Sequence, residues 1–285
     1  MLDPEDLARR WVPGRGKPLV QLVARGPGNS TYRVRRDGLN YAMRLPRTPF
    51  APLPVDAEAP WEQRVFEAAA AAHLSPPVSN ADPASGILVT EWVRGRPWTQ
   101  ASAKDPAQTT RVAMLVRRIH ALAPAPPHYA RRPGDWIGHY RKRSRHAGSE
   151  YADESQRRLA TIAGLPPLAD VLCHSDLHRL NLVDSRAGLI VLDWEYAHYS
   201  DPFWDLAGWL SANDLEEPQR SLLLAGYLGR TPGKEHLLRV KCLMWLYDYV
   251  CLLWGEANAR ELSEAGAAAV ASRAKVYAAR LSAPP

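Results

Sequence analysis

The stretch "HSDLHRLNLV", residues 174–183, crowds two histidines, an aspartate, an arginine and an asparagine into one short run and then turns apolar and β-like. A solvated loop accepts polar residues in any order, so this order calls for a chemical reason. Downstream, "NLV" and "LIVLD" flank "DSRAG" and read as a strand–turn–strand unit that ends on Asp193. The hairpin is expected to bring Asp193 back beside Asn181.

The spacing from His174 is H-x-D-x-x-x-x-N, the spacing of the kinase catalytic loop. Phosphoryl transfer to an alcohol needs a carboxylate that orients the hydroxyl and accepts its proton. It also needs oxygen ligands that hold Mg²⁺ on the phosphates. Asp176 fits the first role. Asn181 and Asp193 fit the second, since a hard cation prefers carboxylate and carbonyl oxygen. The spacing alone is a weak pattern; the hairpin and the terminal aspartate make it specific. A purely structural reading, with Asp176 and Asn181 capping a turn and His174 filling a core slot, leaves Asp193 unexplained.

Bulk properties narrow the field. At 285 residues the chain is expected to form one large domain or two lobes. Hydrophobic residues make up 46% and charged residues 23%, as in ordinary globular proteins. The net charge of +6 is spread along the chain, and the densest basic run, Arg141 to Arg145, reads as a solvated helix face. Nothing follows a nucleic-acid-binding pattern. Cys173, Cys242 and Cys251 have no metal spacing and fit free thiols in a reducing compartment. The acidic N-terminal "MLDPEDLARRW" has no apolar signal core, and "CLMWLYDYVCLLW" is too short for a membrane span. A cytoplasmic protein with no membrane or nucleic-acid partner is expected; the sequence leaves oligomeric state open.

Along the chain, "PLVQLVARG", "STYRVRR", "LNYAMRLP" and "GILVTEWV" read as strands, with a hairpin at Asp37-Gly38. Leu39, Tyr41 and Met43 are expected on one face. "WEQRVFEAAAAAH" is rich in helix formers. Val112, Leu115, Ile119 and Leu122 recur at helical spacing. Residues 234–281 are expected to be mostly helical, with Val240, Met244, Tyr247, Cys251 and Trp254 in one stripe and Leu243, Leu246, Val250 and Leu253 in another. The fold class is therefore α+β, with a small β-rich lobe over 1–94, a larger helical lobe over 95–285 and a hinge near 91–97.

The segment "LCHSDLHRLNLVDSRAGLIVLDWEYAHYSDPFWDLA" closely resembles the aminoglycoside phosphotransferase and choline kinase superfamily, nearest its bacterial choline-kinase-like and thiamine-kinase-like members. The specific motifs cover 174–205, and weaker matches extend over most of the chain. The resemblance implies a protein-kinase-like two-lobed fold and the use of ATP and Mg²⁺. It implies Asp176 as catalytic base, His174 as support of the loop, Asn181 and Asp193 as metal ligands, and Asp205 as the acid that braces the loop.

"RGPGNSTYRV" stands where a phosphate-covering loop belongs, with Gly26, Gly28, Asn29 and Ser30 as candidate phosphate contacts. A plain glycine turn is the bland alternative. Arg44 stands at the strand position where kinases place a phosphate-binding lysine; the "RLP" pattern resembles the choline-type branch, and arginine is not a simple substitute for lysine. Glu62 matches the acid that pairs with this cation, the alternative being an exposed first-turn carboxylate. "TEWVRG" resembles the hinge that binds adenine through the backbone at Glu91 to Val93.

The acceptor is less legible. Family members phosphorylate small alcohols, most of them cationic, and aromatic faces hold such cations. Tyr196 and Trp254, with Glu195, are the candidate acceptor contacts, and Asp248 and Glu256 are further acids in the region. Cys251 replaces an aromatic three residues before Trp254, which argues against a complete cage. The expected acceptor is a choline-, ethanolamine- or thiamine-like alcohol. An aminoglycoside is the alternative within the family, though the last fifty residues hold few acids. A nucleotide-binding pseudokinase is the alternative of another class. A protein acceptor is disfavoured, because only "WEYAHYSDPF" separates Asp193 from the next helix.

Overall fold

The computed structural model describes residues 3–26, 28–46, 61–126, 128–259, 262 and 264–283. In chain order the elements are α1 (Pro4–Trp11), β1 (Leu19–Arg25), β2 (Asn29–Arg36), β3 (Leu39–Pro46), α2 (Trp61–Ala71), β4 (Val78–Asp82), β5 (Ile87–Glu91) and β6 (Gly95–Pro97). There follow α3 (Gln100–Lys104), α4 (Pro106–His120), α5 (Pro133–Arg141), α6 (Glu150–Ala163), β7 (Val171–Cys173), β8 (Leu182–Ser185), β9 (Gly188–Val191) and β10 (His198–Ser200). The chain ends with α7 (Phe203–Ala212), α8 (Gln219–Leu228), α9 (Lys234–Asn258) and α10 (Glu264–Leu281). Single 3-10 turns cover Arg145–Gly148 and Arg179–Asn181.

These elements fall into two units, one from residues 1–96 and 182–195, the other from 97–181 and 196–285. The first is built on an antiparallel sheet of order β1-β2-β3-β5-β4. The β2–β3 turn is the two-residue Asp37-Gly38, both at positive φ (49° and 80°), with Arg36 opposite Leu39. That backbone suits the right-handed twist of the flanking strands. Period-2 alternation buries Val34, Tyr41, Met43, Leu45, Ile87 and Val89 together with Ala8 and Val12 of the α1 region. Leu39, expected on that face, is 60% exposed because it sits at the turn, beyond the reach of the core. Arg36, at the end of β2, is buried and donates to the carbonyls of Gly16, Arg9 and Val12, satisfying the open end of α1.

The same unit takes in the β8–β9 hairpin, with Leu182 opposite Val191 and Ser185 opposite Gly188. β6 pairs alongside β8. Gly95 is required there, since a Cβ would meet the Asp184 carbonyl oxygen at 2.6 Å. Ser75, just past α2, ties the hairpin down. Its hydroxyl donates to the Val191 carbonyl at 2.7 Å and accepts from the buried Trp194 indole at 2.6 Å.

The second unit is mainly helical. α9 is buried around much of its circumference and packs against α5, α6, α7 and α10. Val240, Leu243, Leu246, Tyr247, Val250 and Leu253 are buried, whereas Met244, Cys251 and Trp254 on the other expected stripe are only half-buried. α4 packs on α8, and β7 pairs antiparallel with β10. Among the described residues no helix is long and apolar enough to cross a membrane.

Candidate active site

In the second unit, the loop after β7 is fixed by Asp205, from the first turn of α7. Its Oδ2 accepts the His174 backbone N–H at 2.8 Å, and its Oδ1 accepts that of Ser175 at 2.7 Å. Ser175 sits at φ 68°, a left-handed conformation unusual for a residue with a side chain. Asp205 lies fully buried. Burial pushes its carboxyl pKa up, but the hydrogen bond from His120, with the nearby His174 and the Ser175 N–H, outweighs it and holds the group below the ordinary range.

One residue further, Asp176 is surrounded by groups that favour its ionised form. His178 Nε2 lies 3.5 Å from Oδ2, and Asn181 Nδ2 reaches the same oxygen at 3.3 Å. Burial alone raises the pKa; His178, His174 and Asn181 together bring it below the ordinary aspartate value. Asn181 is buried and also donates to the Asp176 carbonyl at 2.9 Å. That bond commits the amide nitrogen and leaves the amide oxygen as the atom suited to a cation. His174 is fully buried, and its Nδ1 accepts the Asp176 N–H at 3.3 Å.

The first unit holds an ionic cluster around Arg44. One guanidinium nitrogen lies 2.6 Å from Glu62, and the other lies 3.0 Å from Asp193 and 3.7 Å from Glu195. Burial works against the charge, but Glu62, Asp193 and Glu195 more than compensate, so the guanidinium is held charged more firmly than usual. Glu62 is thus engaged by Arg44 rather than standing free at its helix start. Asp193, at φ 64°, is another residue held in the left-handed region. Glu195 also accepts from Asn29 Nδ2 at 2.8 Å, so its carboxylate belongs to this cluster.

The glycine turn is closed by the Gly26 N–H, which donates to the Asn29 carbonyl at 2.9 Å. Ser30 is buried and pairs with Leu45, Gly28 is buried, and Pro27 between the glycines lies outside the described residues. At the expected hinge, the Glu91 N–H goes to the Pro77 carbonyl and the Trp92 N–H to that of Asn40, both at 3.0 Å; Val93 is half-buried.

In the second unit, Trp254 Nε1 donates to the Tyr196 hydroxyl at 3.1 Å, and Trp136 packs on Tyr196 with ring centres 5.9 Å apart. The two aromatics singled out in the sequence therefore meet. The other acids named there are committed. Asp248 is buried against Ser211, and burial raises its pKa to about 6. Glu256 accepts from the Arg145 N–H at 3.1 Å and pairs with His146.

Sequence reasoning assigned no role to His178, His120, Tyr227 or His198. His178 was visible inside the opening motif; the others come from elements distant in sequence. His198 accepts from the Trp136 indole at Nε2 (3.3 Å) and donates from Nδ1 to the Tyr196 carbonyl (2.5 Å), and burial lowers its pKa to about 4.

The fold is shared with solved phosphotransferases. A choline/ethanolamine kinase family protein from Mesorhizobium loti superposes with TM-score 0.75 at 22% identity, covering 93% of this chain and 89% of that one. The choline kinase LicA from Streptococcus pneumoniae gives 0.73 at 19% identity, covering 97% of each chain. An aminoglycoside phosphotransferase in ternary complex with ADP and hygromycin B gives 0.65 at 14% identity, covering 99% of each. No curated protein sequence matches the chain. The model of the phosphotransferase enzyme family (APH) matches residues 20–238, most of the chain, and the protein belongs to that family.

Proposed function

We propose that the protein is an ATP-dependent kinase that moves the γ-phosphoryl group to the hydroxyl of a small cationic alcohol of choline, ethanolamine or thiamine type. The observation that carries this reading is the state of Asp176. It is a carboxylate held ionised by His178 and Asn181, on a loop whose backbone is pinned by Asp205.

Asp176 orients the acceptor hydroxyl and takes its proton as the bond to phosphorus forms. Arg44, locked in charge by Glu62, Asp193 and Glu195, supplies a cation for phosphate oxygens. Gly28 and Ser30 in the glycine turn, with the backbone from Glu91 to Val93, are the further candidate nucleotide contacts. Asn181 in the second unit and Asp193 in the first each offer oxygen of the kind Mg²⁺ prefers, and these residues would hold the ion. When bound, Mg²⁺ neutralises charge on the phosphates. Positioning and charge complementarity supply most of the rate.

The acceptor assignment rests on Tyr196 and Trp254, whose bonded rings offer an aromatic corner to a cationic group. Commitment of Asp248 and Glu256 to Ser211, Arg145 and His146 leaves those carboxylates poorly placed for a polyamine.

The test is ADP release from ATP and Mg²⁺ with choline, ethanolamine, thiamine, kanamycin or no acceptor, for the wild type and Asp176→Asn. Turnover with one of the first three, lost in the variant, is expected. Turnover with kanamycin alone would replace the acceptor assignment. ATP binding with no turnover on any acceptor would favour a pseudokinase.

A further inference from the structure

One face of the first unit's sheet packs Val34 and Tyr41 against the α1 region. The other face carries positive charge with little to balance it. Arg33 and Arg35 stand two residues apart on β2, so both project away from the packed face, and both are exposed. Arg33 lies opposite Gln21 of β1, and Arg35 lies opposite Leu19 of β1 and Asn40 of β3. These residues line a cavity of about 570 Å³. Lys17, just before β1, and Arg94, between β5 and β6, line it as well. The one acid in the lining, Glu5, is paired with Arg9 at 3.2 Å. Among the described residues, the side chains of Lys17, Arg35 and Arg94 have no hydrogen-bond or ion-pair partner.

Scattered surface cations need no explanation, but this group differs in two ways. Like charges side by side on one sheet face destabilise it, and an anion among them removes that cost. Arg33 is also held in place by the fold. Its Nε donates to Asn40 Oδ1 at 3.1 Å, and its guanidinium carbon lies 5.0 Å from the centre of the Trp92 ring. That posture leaves the two terminal nitrogens of a fixed planar fork for a further acceptor. The cavity is also separate from the glycine turn. Ser30, opposite Arg25, marks the turn end of β2, and Arg35 lies five residues further along the strand, roughly 17 Å away.

We propose that this cavity is a binding site for a small soluble oligophosphate, distinct from the triphosphate contacts at Arg44 and the glycine turn. A single phosphate is too small to serve the whole group, because Arg33 and Arg35 alone are about 7 Å apart along β2. Adjacent phosphates spread charge over that span, and each matches an arginine fork. Arg33, pre-set by Asn40 and Trp92, takes one phosphate; Arg35 and Lys17 take the next, and Arg94 closes the other side. The site makes no use of Asp176 and stands apart from the kinase reading.

The experiment is titration calorimetry of the full chain with tripolyphosphate, free of Mg²⁺ and at fixed ionic strength. It compares wild type, Arg33→Gln/Arg35→Gln, Arg94→Gln and Arg44→Met, with citrate and sulfate as the other probes. The affinity for tripolyphosphate should fall roughly 30-fold in the double variant and about 5-fold in Arg94→Gln. In Arg44→Met it should stay within about twofold. The substituted side chains of the double variant and Arg94→Gln are exposed, so both should melt with the wild type. No binding by the wild type, or unchanged affinity in the double variant, would overturn the proposal. A loss in Arg44→Met as large as in the double variant would place the anion at the triphosphate contacts and overturn it too. Sulfate or citrate binding as tightly as tripolyphosphate would overturn the oligophosphate assignment.

Discussion

Between His174 and Asn181 the polar groups are tied down one by one: two backbone N–H groups to Asp205, the Asp176 N–H to His174, the Asn181 amide to Asp176. At Trp254, in the same unit, the indole donates to the Tyr196 hydroxyl, and Trp136 packs on the Tyr196 ring. The loop is specified by donors and acceptors at fixed positions, the corner by shape. Chemistry that tolerates little displacement needs the first kind of construction, whereas recognition of an alkylammonium group is satisfied by apolar faces.

The widest separation between the two regions should come from Asp176→Asn. Loss of the proposed base should lower kcat roughly 10³-fold, with ATP affinity within about threefold of wild type by calorimetry. A mild effect would mean that the ordered loop serves something other than the chemical step.

A second test uses acid. His198 contacts Ser175 Oγ at 3.2 Å and is buried, with its pKa lowered from 6.5 to about 4. Its folded pKa lies below the unfolded one, so the stability it contributes is present above pH 6.5 and is lost as the pH falls toward 4. Asp248 has the opposite sign: its pKa is raised from 3.8 to about 6, so its contribution is present at acid pH and is lost as the pH rises through 6. Comparison with His198→Gln separates the two. Between pH 7.5 and 5, urea unfolding should show the wild type losing about 2 kcal/mol more than the variant. Equal losses would remove His198 from the account.

In the first unit, Arg44→Met should raise KM for ATP roughly 30-fold, measured with acceptor saturating, and leave acceptor KM nearly unchanged. The smallest effect falls on the corner. Trp254→Ala should raise acceptor KM about 10-fold with kcat within twofold. A fall in kcat comparable to that of Asp176→Asn would erase the distinction between loop and corner.

What the sequence made legible follows the same division. Period-2 alternation identified β2 and β3, and Asp37-Gly38 marked their turn, because strand faces and turn backbones are local properties. The loop residues were readable for the same reason: Asp176 and Asn181 are five positions apart and bond each other directly. Arg36 was not readable as a buried group, since its partners at residues 9, 12 and 16 are fixed only when α1 docks on the sheet. His120 and Tyr227 escaped notice because 107 residues separate them and neither carries a spacing signal. Glu195, expected near the acceptor, is bonded to Asn29 and close to Arg44, contacts set by tertiary packing rather than by its place after Asp193.

The most direct test of the account is phosphorus NMR of ATP, Mg²⁺ and the acceptor that supports ADP release, followed with wild type and Asp176→Asn at equal concentrations. The account predicts a new phosphomonoester resonance growing in step with ADP for the wild type and none for the variant over the same period. Phosphomonoester formed by Asp176→Asn at the wild-type rate would contradict it.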